Sequence, residues 1–173
     1  MSKCRRSILI IDFLLLAVLL LIDQWTKYLA VVKLKGQNAF VLIEGVLELD
    51  YLENRGAAFG MLQNQKIFLV AVGVVFLTVI SFVLIKLPEH KKYIPLHLLA
   101  VMIMAGGLGN MIDRIRLDYV VDFISFVLIN YPIFNVADIF VVVATIGIMI
   151  LLLLVYKEED LDSIAFFRKK DAK

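Results

Sequence analysis

Four apolar runs divide the 173-residue chain. The first covers residues 8–28; it is apolar as far as Ile22, Asp12 excepted, and then turns polar. Residues 67–85 and 94–112 hold 19 positions each without a charge, and residues 139–156 hold 18. An α-helix rises about 1.5 Å per residue, so about 20 residues cross the hydrocarbon of a bilayer and roughly 17–25 are tolerated. The pattern predicts an all-α membrane protein of four transmembrane helices, in a single domain over residues 1–173. Between the first two runs, residues 33–66 form the largest segment that does not span. Within it Leu47, Glu48, Leu49, Asp50 and Tyr51 alternate with a period of two, the signature of a half-buried strand. Gly36, Gly45, Gly56 and Gly60 punctuate the segment, which reads as a small curved sheet on the membrane surface. So short a sheet needs lipid or the helix bundle against its apolar face. Residues 87–93 read as a tight turn, 115–134 as a second loop and 157–173 as a charged, solvated tail.

Composition agrees: 62% of residues are hydrophobic and the mean hydropathy is +0.92, against roughly 45–50% apolar content in a soluble domain. Charge sets the expected orientation. Segments 1–7, 86–93 and 157–173 hold 11 Lys and Arg together, and segments 33–66 and 113–137 hold 6. The richer side is expected to be cytoplasmic, with both termini inside. A net charge of +2 is too small to argue for a nucleic-acid partner. The single cysteine, Cys4, excludes an internal disulfide and a multi-cysteine metal site, and reads as an inert thiol. A basic start before an apolar run also describes a secretory signal, but no small-x-small cleavage site follows. Trp25 and Tyr28 instead fit the aromatic belt of a retained helix.

Two aspartates stand at the outer edge of the apolar runs. Asp122 lies in Val-Val-Asp-Phe-Ile, and Asp138 closes Phe-Asn-Val-Ala-Asp just before the fourth run. A charged side chain at a helix centre costs about 2.5–3.5 kcal/mol on insertion scales, less near the interface, and such residues usually mark function. Two close carboxylates share one proton, so the pair can do acid–base work. The plain alternatives are an N-cap role for Asp138 and an exposed loop charge for Asp122. Asn110, Asp113 and Arg114 fall on one helix face, where Arg114 would either clamp Asp113 or hold a substrate carbonyl. Asp23 and Lys27 are spaced as an i, i+4 salt bridge near the interface, with Asp23 at the depth of Asp122. Gly106, Gly107 and Gly109 allow close helix approach. Asn54 and Gly56 sit in a polar-to-small stretch that reads either as a tight turn or as backbone approaching a ligand. His90 and His97 lie away from the carboxylates, and Asp12 is expected to reach for the headgroup region. A small transporter or proton channel is the rival class, but its carboxylates would lie nearer the bilayer midplane. A purely structural or partner-binding membrane protein is the third reading.

Five segments carry a resemblance: Asp23-Gln24-x-Thr26-Lys27, Asn54-Arg55-Gly56-Ala57-Ala58-Phe59-Gly60, Gly109-Asn110-x-x-Asp113-Arg114, Val121-Asp122-Phe123 and Phe134-Asn135-x-Ala137-Asp138. In type and order the set resembles bacterial lipoprotein signal peptidase, the type II signal peptidase. The resemblance implies an aspartic endopeptidase of the bacterial cytoplasmic (inner) membrane, cleaving diacylglyceryl-modified prolipoproteins before the lipidated cysteine at the extracytoplasmic face. It implies Asp122 and Asp138 as the catalytic dyad, with Asp23, Lys27, Asn54, Gly56, Asn110, Asp113, Arg114 and Asn135 binding substrate or supporting the pair. It further implies an extracytoplasmic β-cradle, inhibition by globomycin, and a monomer working in membrane lipid with neither metal nor cofactor.

Overall fold

The computed structural model describes residues 2–57 and 61–160. Ala58, Phe59 and Gly60 of the second motif, and the tail beyond Asp160, lie outside the described residues. Four helices are long and apolar enough to cross a membrane: α1 (Lys3–Leu34), α2 (Lys66–Lys86), α3 (Ile94–Leu117) and α4 (Val136–Ile150). A 3-10 turn, Lys91–Tyr93, leads into α3, and α4 continues through a π-helical turn, Leu151–Val155. A three-stranded antiparallel sheet in the order β1 (Phe40–Ile43), β2 (Leu47–Asn54), β3 (Val120–Phe126) caps one end of the bundle. Gly45, at φ +67°, makes the turn between β1 and β2.

The helices exceed the apolar runs that predict them. At 1.5 Å per residue, the 32 residues of α1 reach about 48 Å, against hydrocarbon about 30 Å thick. The excess projects at the sheet end, where Ala30, Val31 and Leu34 pack against Leu49, Tyr51, Val121 and Phe123. The last turns of α1 are thus the post on which the sheet leans. The sheet itself corrects the sequence reading in one respect: its third strand comes from the segment expected to be a loop, and carries Asp122. Buried Val120, Val121, Asp122 and Phe123 stand on both faces of β3, so the strand lacks the alternation that revealed β2.

α3 is the central helix. It buries ten described residues where α2 buries only Leu77 and Leu84. Its glycines bring neighbours to backbone distance: a Cβ on Gly106 would stand 2.4 Å from Ala137 O, and one on Gly109 2.3 Å from Asp23 Oδ2. Glycine here lets α1, α3 and α4 approach closely. Asp12 is 7% exposed and does not reach for headgroups; its Oδ2 lies 2.9 Å from His97 Nδ1 on α3.

Gly106→Ala is expected to destabilise the protein by about 1–3 kcal/mol, because the intruding methyl meets rigid backbone. Gly107→Ala, whose Cβ would lie 3.3 Å from the movable Leu77 Cδ2, should cost clearly less. Thermal unfolding of both variants in detergent tests that order.

Candidate active site

The site is a set of hydrogen-bonded shells around two carboxylates. Asp138 is not the N-cap of α4. The N-cap is Asn135, whose Oδ1 accepts from the Asp138 N–H at 3.1 Å, while Asp138 Oδ2 accepts from the Asn135 N–H at 3.1 Å. This reciprocal capping box starts α4 three residues before the apolar run. Asn135 is fully buried, and its Nδ2 donates to Asp122 Oδ1 at 2.6 Å. One asparagine therefore touches both carboxylates. The second oxygen of each is held from another element. Asn54 Nδ2 on β2 donates to Asp122 Oδ2 at 2.8 Å, and Asn110 Nδ2 on α3 donates to Asp138 Oδ1 at 2.8 Å. Asn110 Oδ1 in turn accepts from Asn135 at 3.1 Å and from Lys27 Nζ at 2.9 Å.

Beneath this shell sits Lys27, 3% exposed, 3.0 Å from Asp23 and 3.0 Å from Asp113. The i, i+4 pair expected near the interface is thus fully enclosed, and the clamp between α1 and α3 is made by Lys27 rather than by Arg114. Each of these carboxylates also holds a backbone amide. Asp23 Oδ1 accepts from Ala137 N–H at 3.1 Å, next to Asp138; Asp113 Oδ2 accepts from Val121 N–H at 3.2 Å, next to Asp122. Gln24, absent from the predicted site residues although it lies between Asp23 and Lys27 in the first motif, completes the cluster. Its Nε2 lies 3.1 Å from Asp23 Oδ2, 3.0 Å from Asp113 Oδ1 and 3.3 Å from Gly109 O. Its place in the motif was the available signal.

Arg114 serves the loop after β2. Its Nη2 donates to Gly56 O at 2.9 Å and its Nη1 to Asn110 O at 3.3 Å, while its buried Nε has no protein partner among the described residues. Gly56 N–H donates to Asn54 Oδ1 at 3.0 Å, fixing the amide that meets Asp122. All ten predicted residues thus join one connected network.

The two carboxylates lie in unlike settings. Asp122, 2% exposed, has its pKa pushed up to about 6, chiefly by burial and further by the Asp138 charge; hydrogen bonds from Asn54 and Asn135 oppose the rise. Asp138, in the first turn of α4, opens onto an apolar cleft of about 290 Å³ lined by Phe126, Ile129, Tyr131, Phe134, Ile139 and Val142 among others. A carboxyl that can hold a proton, a neighbouring carboxylate and an apolar trough are the parts of an acid–base hydrolytic site.

Comparison with known proteins decides the family. The model of signal peptidase (SPase) II, peptidase family A8, matches residues 15–155. The chain belongs to the signal peptidase II family. It is 42% identical over 146 residues to the lipoprotein signal peptidase of Streptococcus thermophilus, covering 83% of this chain and 92% of that protein. It is 46% identical over 133 residues to the lipoprotein signal peptidase of Caldanaerobacter subterraneus subsp. tengcongensis, covering 76% and 88%. A solved bacterial membrane enzyme at 2.3 Å resolution superposes with a TM-score of 0.74 at 28% identity, covering 94% of each chain. A signal peptidase II of this shape is a multi-pass bacterial membrane protease.

Lys27→Met is expected to destabilise the protein by about 3–5 kcal/mol, because it leaves buried carboxylates without their counter-charge. Adding Asp23→Asn and Asp113→Asn to that variant should restore much of the loss. Chemical denaturation of the two variants in the same detergent checks both halves of the expectation.

Proposed function

We propose that the protein removes signal peptides from diacylglyceryl-modified prolipoproteins, cutting before the lipidated cysteine by attack of a water molecule activated between Asp122 and Asp138. The observation that carries this reading is one buried residue, Asn135, whose side-chain amide bonds the Asp122 carboxylate and whose backbone N–H bonds the Asp138 carboxylate, beside an apolar cleft. Its support beyond the site is the family and the names of its relatives.

In this scheme the pair carries one proton, held by Asp122, whose burial favours the neutral form. Asp138, which opens onto the cleft from the first turn of α4, serves as the base. Asp138 takes a proton from water as its oxygen attacks the scissile carbonyl, and Asp122 donates to the carbonyl oxygen. The tetrahedral intermediate then collapses as Asp138 passes its proton to the leaving nitrogen, and Asp122 recovers its own from the former carbonyl oxygen. The step needs no metal or cofactor. Arg114 Nε–H, buried beside Asn110 and Gly56, supplies a donor for a substrate carbonyl. The cleft receives apolar parts of a substrate that stays in the membrane and enters sideways between helices. The charge distribution favours cytoplasmic termini and an extracytoplasmic site in the inner membrane. A monomer contains every group the scheme uses, and globomycin is expected to inhibit.

Purified protein should cleave a diacylglyceryl prolipoprotein before the modified cysteine with chelator present. Asp122→Asn and Asp138→Asn should fold and lose activity by at least about 10³-fold, the scale of losing general acid–base help together with water positioning. Substantial cleavage by Asp138→Asn would reduce that residue to the closing half of a capping box. The pH profile gives a second check. In the free enzyme kcat/KM should decline as pH rises through an ionisation near the Asp122 value of about 6. Asn54→Ala removes a bond that favours the charged form, so its limb should move to higher pH.

A further inference from the structure

We propose that the groove between the last turns of α1 and the sheet binds one anionic phospholipid, with an acyl chain lying along α1 and the phosphate on Lys33. The groove holds about 380 Å³. Thr26, Leu29, Ala30 and Lys33 form its α1 wall, and Leu49 of β2 and Phe123 of β3 face them. It shares no lining residue with the cleft beside Asp138.

The four α1 residues are spaced as one helix face. On one flank of that face stand Trp25 and Tyr28, 63% and 62% exposed; on the other stand Asp23 and Lys27, which are buried. The groove therefore opens where the lipid-facing side of α1 meets its enclosed side. Toward the helix N-terminus the same face continues through Ile22 and Val18, both exposed. Eleven residues separate Ile22 from Lys33, roughly 16 Å at about 1.5 Å per residue. One leaflet of hydrocarbon is about 15 Å deep, half of about 30 Å. The stripe thus has the length of one acyl chain in one leaflet. A helical side chain lies over the turn N-terminal to its own Cα, so Lys33 leans back toward the level of Trp25 and Tyr28. Aromatic residues of that kind mark the headgroup level.

Charge selects the head of the lipid. At the sheet end, Lys35 and Arg55 pair with Glu53, Lys66 pairs with Asp118, and Lys27 pairs with Asp23 and Asp113. Arg114 spends its Nη atoms on the carbonyls of Gly56 and Asn110. Lys33 and Arg116 join no ion pair among the described residues, and Lys33 is the charged residue of the groove lining. An unmatched ammonium at the edge of an apolar groove fits an amphiphile with a negative head. A diacylglyceryl group carries no phosphate, so a substrate lipid does not match Lys33. A zwitterionic phospholipid brings its own cation and gains less from the ammonium. A lipid seated here touches Phe123, the neighbour of Asp122, and bridges β3 to α1.

Trp25 is the one tryptophan of the chain, and its face adjoins the groove, so its fluorescence reports lipid bound there. Nanodiscs are prepared from equal parts phosphatidylglycerol and phosphatidylcholine, with bromine on the acyl chains of one or of the other. Brominated phosphatidylglycerol should quench Trp25 more, with a preference of about five-fold, the scale of one lysine near an anionic lipid surface. Lys33→Gln should abolish the preference. Arg116→Gln, which removes an unpaired cation outside the groove lining, should keep it. Soluble glycerol phosphate, a head without chains, should leave the quenching unchanged. Both variants should unfold at the wild-type temperature in detergent free of phospholipid. Equal quenching by the two labels in wild type overturns the proposal, as does a preference that survives Lys33→Gln. A preference lost equally in Arg116→Gln would show only the overall surface charge, and displacement by glycerol phosphate would show a plain anion site; either result also overturns it.

Discussion

The structure depends on one ammonium group. Lys27 Nζ, held 3.0 Å from Asp23 and 3.0 Å from Asp113, makes it possible to bury two carboxylates side by side between α1 and α3. Those carboxylates then do something no apolar pair could do. Asp23 takes the amide of Ala137, and Asp113 takes the amide of Val121. Each of these amides belongs to the residue just before one of the paired aspartates. The same ammonium also fixes Asn110, which donates to Asp138. The start of α4, the start of β3 and the intervening asparagine are therefore all referred to a single buried charge. Buried ion pairs are weak sources of net stability, because desolvation opposes the attraction. Their value here is positional: the partners are fully bonded, and satisfied polar networks specify one arrangement.

The two shells contrast in how well their charges are matched. In the lower one, two carboxylates face an ammonium, the Gln24 amide and two backbone amides, and the group is sealed. In the upper one, the hydrogen bonds to Asp122 and Asp138 come from neutral asparagine amides, and the Arg114 and Lys27 charges act without direct contact. Four neutral amide donors orient carboxylates without neutralising them, so the proximity of two like charges is left to be relieved by a proton. Burial is the main cause of the rise of the Asp122 pKa to about 6, and the Asp138 charge adds to it. The sign for folding follows. A carboxyl whose folded value exceeds its ordinary value of 3.8 stabilises the fold while protonated, and that contribution is lost as pH rises from the lower value through the higher. The lower shell supplies rigidity at neutral pH while the upper one is left electrostatically dissatisfied.

Much of this was legible in the residues, and the failures have physical causes. The four helices follow from apolar runs of membrane-crossing length, but their ends do not, because hydropathy reports where lipid stops and α1 continues past it to support a sheet. β2 announced itself by alternation in the sequence, and Leu49 and Tyr51 pack toward α1 as that period implies, although the strand is partly exposed along its whole length. β3 is enclosed on both faces and contains an aspartate, so it shows no period, and its segment reads as a loop. Asp138 preceding an apolar run looks like an N-cap, but the cap is Asn135, three residues earlier. Val136 and Ala137 belong to the helix although they precede the run. Lys27 and Asp113 show no obvious relation in sequence. A helix spacing brings Asp23 to Lys27, but only the parallel packing of α1 on α3 brings Asp113 to both.

That packing rests on missing side chains as much as on charges. With a Cβ at position 109, Asp23 could not lie against α3, and its carboxylate would lose either Lys27 or Ala137. With a Cβ at position 106, the Ala137 carbonyl and the first turn of α4 would be pushed outward. Close approach of backbones is the usual way helices associate where surrounding lipid offers no hydrophobic advantage. In this bundle the same approach is also the condition for short hydrogen bonds between the shells. Packing and electrostatics are therefore one constraint seen twice. The glycines set the distance at which Lys27 can serve two carboxylates, and Lys27 offsets the charge that such a distance would otherwise make untenable.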